Sequence, residues 1–187
     1  MGGVGAFGKI AGLGDFLRRD LPPGFTAAWD EWLARGILES RAALGPRWDE
    51  AYRVAPIWRF ALGPGLAGRQ AAAGVLMPSQ DRVGRSFPLT LVAALPAEEV
   101  ETALEDEVAM QEMEEVALRT LDSARGSAAL IADLARISPP RGRPGPALRG
   151  SLWRAWLGER AVECRFPALP PAAAFIRLID PDAEAAA

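Results

Sequence analysis

Ala71-Ala72-Ala73-Gly74-Val75-Leu76-Met77 is an unbroken apolar run that stops at Pro78, and Phe87-Pro88-Leu89-Thr90-Leu91-Val92-Ala93-Ala94-Leu95 is a second that stops at Pro96. A third, Ile57-Trp58-Arg59-Phe60-Ala61-Leu62, precedes them, alternates in part and ends at Gly63-Pro64-Gly65. Apolar runs of this length punctuated by Gly and Pro read as strands. The connections between them are too short for helical crossovers, so the three are expected to lie antiparallel in one sheet.

Upstream, residues 4–10 are apolar with glycines and predict an opening strand, followed by a turn at Gly12-Leu13-Gly14-Asp15. After Pro22-Pro23-Gly24, the residues Phe25, Trp29, Trp32, Leu33, Gly36, Ile37 and Leu44 recur at three and four, which places one apolar stripe on a helix. A second short helix is expected over 47–53. Downstream, Val100, Leu104, Val108, Met113, Val116, Ala117 and Leu121 predict one long helix over 97–123, with Glu98 and Glu99 in its first turn. Residues 97–118 carry many carboxylates and no Arg or Lys, so this helix is expected to present a solvated acidic face or to dock a basic partner. A short helix is expected over 127–137. Ser151 to Trp156 and Val162 to Phe166 read as strands and 170–179 as a final helix. The Pro/Gly/Arg composition of 138–148 predicts a flexible loop, and 180–187 a frayed tail. The expected class is α/β: one three-layer domain over 1–187, with a mostly antiparallel central sheet and helices on both faces.

Composition removes function classes. The net charge of −3 over 187 residues argues against nucleic acid, which needs a basic face. There is no histidine, so Ser-His-Asp, Cys-His and His-metal designs are excluded. Cys164 is the one cysteine, which excludes an internal disulfide and a cysteine zinc cluster; its setting, Ala161 to Phe166, suggests a structural thiol. The N-terminus lacks the pattern of a signal peptide, and no apolar stretch approaches the ~20 residues a membrane span needs. A cytoplasmic protein without cofactor or membrane insertion is expected.

Four constellations could carry chemistry. Gly8-Lys9-Ile10-Ala11-Gly12-Leu13-Gly14-Asp15-Phe16 is glycine-rich and holds the only lysine, yet Ser or Thr does not follow Lys9 and Leu17 stands where the last glycine of G-x-G-x-x-G belongs, so a structural turn is the better reading. Pro78 to Pro88 is a polar loop whose Arg82 and Arg85 could grip a carboxylate or phosphate, or whose Asp81 could simply pair locally with an arginine. Asp15 and Asp81 could form a catalytic or metal-holding carboxylate pair only if they meet in space. Of the six tryptophans, Trp29 and Trp32 belong to a core stripe, whereas Trp58 and Trp153 could lie at an edge.

Several of these segments carry a family resemblance. Phe7 to Phe16 resembles F-G-K-x-P-x-x-G-D-F with Ala11 in place of proline; Trp29 to Leu33 resembles W-D-x-W-L; Ala55 to Phe60 resembles A-P-x-W-R-F; and Gly74 to Leu89 is similar to G-V-x-x-P-S-x-D-R-V-G-R-x-F-P-L. Ser151-Leu152-Trp153 and the Leu169-Pro170 to Phe175 segment are weaker late matches. Together these motifs resemble the TagF family of type VI secretion-associated proteins. The resemblance implies an α/β three-layer fold and a post-translational, non-catalytic repressor of secretion-system assembly that acts with a forkhead-associated scaffold protein. Some relatives carry a fused PP2C-type phosphatase domain; here any such activity is expected from a separate protein. The expected partner-binding residues are Ser79, Asp81, Arg82 and Arg85, with Asp15 and Arg18, beside Gly14, at a neighbouring edge. The alternatives are a metal-dependent phosphoester hydrolase using Asp15 and Asp81, or a structural part of the secretion apparatus.

Overall fold

The computed structural model describes residues 2–181, so the last six residues of the tail expected to fray lie outside the described residues. β1 (Gly5–Gly8) and β2 (Leu17–Arg19) are followed by α1 (Phe25–Leu44), α2 (Trp48–Val54), β3 (Trp58–Leu62), β4 (Ala71–Met77) and β5 (Leu89–Leu95). Then come α3 (Glu107–Arg119), α4 (Ser127–Leu134), β6 (Ser151–Leu157), β7 (Arg160–Phe166) and α5 (Ala172–Ile179). The strands form one seven-stranded sheet in the order β2-β1-β5-β4-β3-β6-β7. Every pairing is antiparallel.

β4 lies at the centre of this sheet and is apolar at every position because both its faces are covered. Ala73, Val75 and Met77 pack with Leu104, Met113 and Leu130 in one cluster. Ala72 and Leu76, the intervening residues, pack with Trp29, Trp48 and Phe175 in another. This period-two division is what strand geometry imposes on a strand buried on two sides. Fully burying one large apolar side chain contributes about 1.5–3 kcal/mol.

α1 buries Phe25, Trp29, Leu33, Gly36, Ser40 and Leu44, a stripe at helical spacing. Gly36 is there because α5 lies against it: a Cβ at this position would come within 2.4 Å of the Phe175 ring. The Trp29 indole N–H, fully buried, donates to Thr90 Oγ1 at 2.9 Å, and Trp32 donates to the Pro170 carbonyl at 2.8 Å. These bonds satisfy the polar atoms that two large aromatics bring into the core.

The structure departs from the expectations in four places. The helix expected over 97–123 is split. Residues 102–105 form a 3-10 turn, and α3 starts after Asp106, which has non-helical backbone and accepts from the Ala109 N–H as an N-cap. The acidic helix is also not only a solvated face. Arg59 of β3, 2 % exposed at its side chain, reaches Glu107 and Glu114 of α3 at 2.6 Å each, while its guanidinium stacks 4.4 Å from the centroid of Trp156. Burial pushes the Arg59 guanidinium down, but these two glutamates outweigh it and hold it above its ordinary value. Trp58 and Trp153 are buried rather than at an edge, because β6 joins β3 inside the sheet. Finally, β2 is a strand that composition does not announce: only Leu17 of its three residues is buried.

The 138–148 segment has neither helix nor strand. Its backbone N–H groups at Arg141, Arg143 and Gly145 donate to Asp106 Oδ2, Thr102 Oγ1 and the Glu98 carbonyl, each at 2.8 Å. The chain beyond it returns to the same sheet as β6 and β7.

Candidate functional site

β1 and β4 both pair with β5, so the turn after β1 and the loop from β4 to β5 leave the sheet at the same end. Gly8 allows the two to touch. Its φ is +127° and a Cβ there would sit 2.0 Å from the Pro88 carbonyl oxygen, so no other residue fits without moving the backbone. The Arg82 N–H then donates to the Leu13 carbonyl at 3.0 Å, joining the two loops through their backbones.

Asp81 organises the longer loop. Its Oδ1 accepts from the Val83 and Arg85 N–H groups at 3.0 and 2.9 Å, and its Oδ2 faces Arg85 Nε at 2.6 Å and Lys9 Nζ at 3.0 Å. Desolvation pushes the Asp81 carboxyl up. The Arg85 backbone N–H, the Lys9 ammonium, the Arg85 guanidinium and the Val83 N–H together outweigh that and hold it well below the usual carboxylate range. Gly84, at φ +84°, makes the tight turn, and the Phe87 N–H closes the loop onto the Ser79 carbonyl at 3.0 Å. At its base the Tyr52 hydroxyl of α2 donates to the Ser79 carbonyl at 3.0 Å and accepts from the Ser79 N–H at 3.1 Å. Burial raises the Tyr52 phenol well above its ordinary value, with the Ser79 bond partly offsetting this.

The structure therefore separates the expected site residues into two groups. Ser79 and Asp81 are buried and shape the loop. Arg82 and Arg85 are exposed on its tip. Arg85 Nη2 donates to the Gly14 carbonyl at 2.7 Å, and a Cβ on Gly14 would lie 3.8 Å from Arg82 Nη2, so both guanidinium groups lie against Gly14. Asp15 is exposed next to them, and Arg18 lies over the Phe7 ring, 5.9 Å from its centroid, and 3.9 Å from Asp30 of α1. A catalytic carboxylate pair of Asp15 with Asp81 has no support here, because both oxygens of Asp81 are engaged by the loop and by Lys9. Among the described residues no group of three or more Asp, Glu, Cys or His side chains could hold a metal ion.

The structure adds three residues to this rim. Lys9, read as part of a turn, is the buried counter-ion of Asp81. Phe16 is 42 % exposed, packs on Phe87 with ring centroids 4.7 Å apart, and lies 5.2 Å from Lys9 Nζ. Val83, at the loop tip, is 69 % exposed. Exposed guanidinium groups next to an exposed aromatic and an exposed aliphatic side chain have the composition of a protein-binding surface.

Comparison with known proteins places this arrangement in context. The family described as TagF N-terminal domain, type VI secretion system-associated, matches residues 5–137. The crystal structure of PA0076 from Pseudomonas aeruginosa PAO1 is similar to this chain, with a TM-score of 0.86 and 36 % identity over 97 % of this chain and 96 % of that one. No curated protein matches.

Proposed function

Because this chain belongs to the TagF family of type VI secretion-associated proteins, we propose that it is a non-catalytic, cytoplasmic repressor of secretion-system assembly that acts by binding a forkhead-associated scaffold protein. The observation that carries this reading is the joining of two separate motifs into one exposed rim. Arg85 spans from Asp81 to the Gly14 carbonyl, so the turn after β1 and the loop before β5 present Arg82, Arg85, Phe16 and Val83 together. A rim built this way is preorganised, which lowers the cost of ordering it on association. Among the described residues no helix is long and apolar enough to cross a membrane, which suits a protein that works by binding another. The division of the core into two clusters on alternate residues of β4 supports three layers, helices–sheet–helices, as the architecture behind the rim.

The test is made in the native cell. Deleting the gene should raise secretion through the type VI system, and the tagged chain should co-purify with a forkhead-associated protein. Unchanged secretion together with the absence of such a partner would refute the proposal.

A further inference from the structure

Arg85, with Gly84, Ser86 and Phe87 of the same loop, forms one wall of a groove of about 620 Å³ whose opposite wall is α1. Ile37, Leu38 and Arg41 line it from α1, Arg85 and Phe87 from the loop, and Asp49 from α2. We propose that this groove receives a segment of the protein partner that carries a carboxylate beside an apolar side chain, with Arg41 and Arg85 taking the carboxylate. The proposal rests on the reading of the rim as the partner-binding surface and specifies the chemistry of what binds there.

Two observations identify the charge. The Arg41 guanidinium is exposed and has no hydrogen bond or ion pair among the described residues, yet it is not loose: it lies 4.1 Å from the centroid of the Trp48 ring. A cation held on an aromatic face keeps its N–H groups available at its edge. Arg85 is bound to Asp81, but that carboxylate already faces Lys9, whose side chain is 9 % exposed against 61 % for Arg85. Lys9 can neutralise Asp81 without help, so Arg85 is the surplus cation of the trio. With Asp81 balanced by Lys9, Arg41 and Arg85 face Asp49, and the groove keeps one positive charge. That surplus matches a single carboxylate, whereas a phosphate would overfill it with nearly two negative charges.

A third observation identifies the neighbour of that carboxylate. Leu38 is 70 % exposed on the α1 wall, and Phe87 lies in the loop wall facing it across the groove. An aliphatic side chain entering beside the carboxylate would cover Leu38 and exclude water from the ion pairs, which strengthens them.

The test uses the full isotope-labelled chain and three probes: a capped Leu-Glu-Leu tripeptide, its Leu-Gln-Leu counterpart and inorganic phosphate. The Nε–Hε signals of Arg41 and Arg85 and the methyl signals of Leu38 are followed by NMR. The acidic peptide should shift all three to saturation. The amide peptide should bind about fivefold more weakly, the size expected for a part-exposed charge pair. Arg41→Gln should weaken the acidic peptide by a similar factor and leave the amide peptide unchanged, and Leu38→Asp should weaken both. Equal binding of the two peptides, shifts confined to other parts of the chain, or arginine signals that respond to phosphate and not to the acidic peptide would each overturn the groove assignment. Capture of the forkhead-associated scaffold is measured in parallel. If capture needs Arg82 and Arg85 while the acidic peptide leaves the groove signals unmoved, the regulator reading stands and the groove assignment falls. If the peptide binds as described but the scaffold is not captured, the groove assignment stands and the choice of partner falls.

Discussion

Lys9 Nζ lies 3.0 Å from Asp81 Oδ2, with both side chains buried, and this contact fastens the turn after β1 to the loop before β5. Arg85 makes a shorter contact to the same oxygen but is 61 % exposed. The two cations should therefore differ in what they hold. Lys9→Met leaves a buried carboxylate short of its buried partner and should lower the melting temperature clearly more than Arg85→Gln, where water replaces the lost guanidinium. Thermal unfolding of the two variants followed by circular dichroism checks the order. An Arg85→Gln variant that melts below Lys9→Met would contradict it.

Asp81 also sets a pH dependence. Its carboxyl is held below its ordinary value in the folded chain, so the unfolded chain binds a proton first as pH falls. The stabilisation is therefore complete above the unfolded value near ~4 and is lost as pH falls from there through the lower folded value. Urea unfolding between neutral pH and ~3 should show stability falling at the acid end, with a shallower fall in Asp81→Asn. Parallel curves for the two proteins would remove Asp81 from the account.

Arg59 tests whether α3 is fastened to the sheet by charge as well as by apolar burial. Its side chain is 2 % exposed, between Glu107 and Glu114, which are 52 % and 22 % exposed. The glutamates can rehydrate when the arginine is removed, but the buried volume cannot refill easily. Arg59→Ala should cost about 3 kcal/mol by chemical denaturation, toward the lower end for breaking a buried pair. A cost near that of an exposed pair, under about 1 kcal/mol, would show that the contact contributes little.

Gly36 separates packing from helix propensity. In an exposed helix, alanine in place of glycine is favourable by up to about 1 kcal/mol. Here the new Cβ would lie 2.4 Å from the Phe175 ring. Gly36→Ala should therefore destabilise by about 1–3 kcal/mol, the usual cost of overpacking. Pairing it with Phe175→Leu should recover part of the loss.

Much of the fold is legible in the residues. β3, β4 and β5 are bounded by Gly and Pro and are apolar enough to be read as strands, and α1 follows its stripe from Phe25 to Leu44. What is not legible is what depends on sheet order. Trp153 lies 93 positions after Phe60, yet the two residues are register partners at the β3–β6 pairing, so nothing local marks Trp153 as central. The break before α3 is not legible because the apolar spacing continues through Leu104, while the stop is a matter of the Asp106 backbone and cap. The site divides in the same way. Arg82 and Arg85 are recognisable as arginines of a polar loop bounded by Pro78 and Pro88. Lys9 as the partner of Asp81, and Arg41 as the facing wall of the groove, are brought to the loop only by the pairing of β1 with β5 and the packing of α1 and α2.

The rim built by Arg82 and Arg85 is the surface proposed to bind a forkhead-associated scaffold. The direct measurement is affinity capture of that scaffold, co-expressed with tagged wild type or with the Arg82→Ala, Arg85→Ala double variant, after circular dichroism has shown that the variant folds. The account predicts retention by wild type and a loss of about tenfold or more in the variant, since interface arginines of this kind cost at least ~1–2 kcal/mol each when truncated. Undiminished capture by the folded double variant would contradict it.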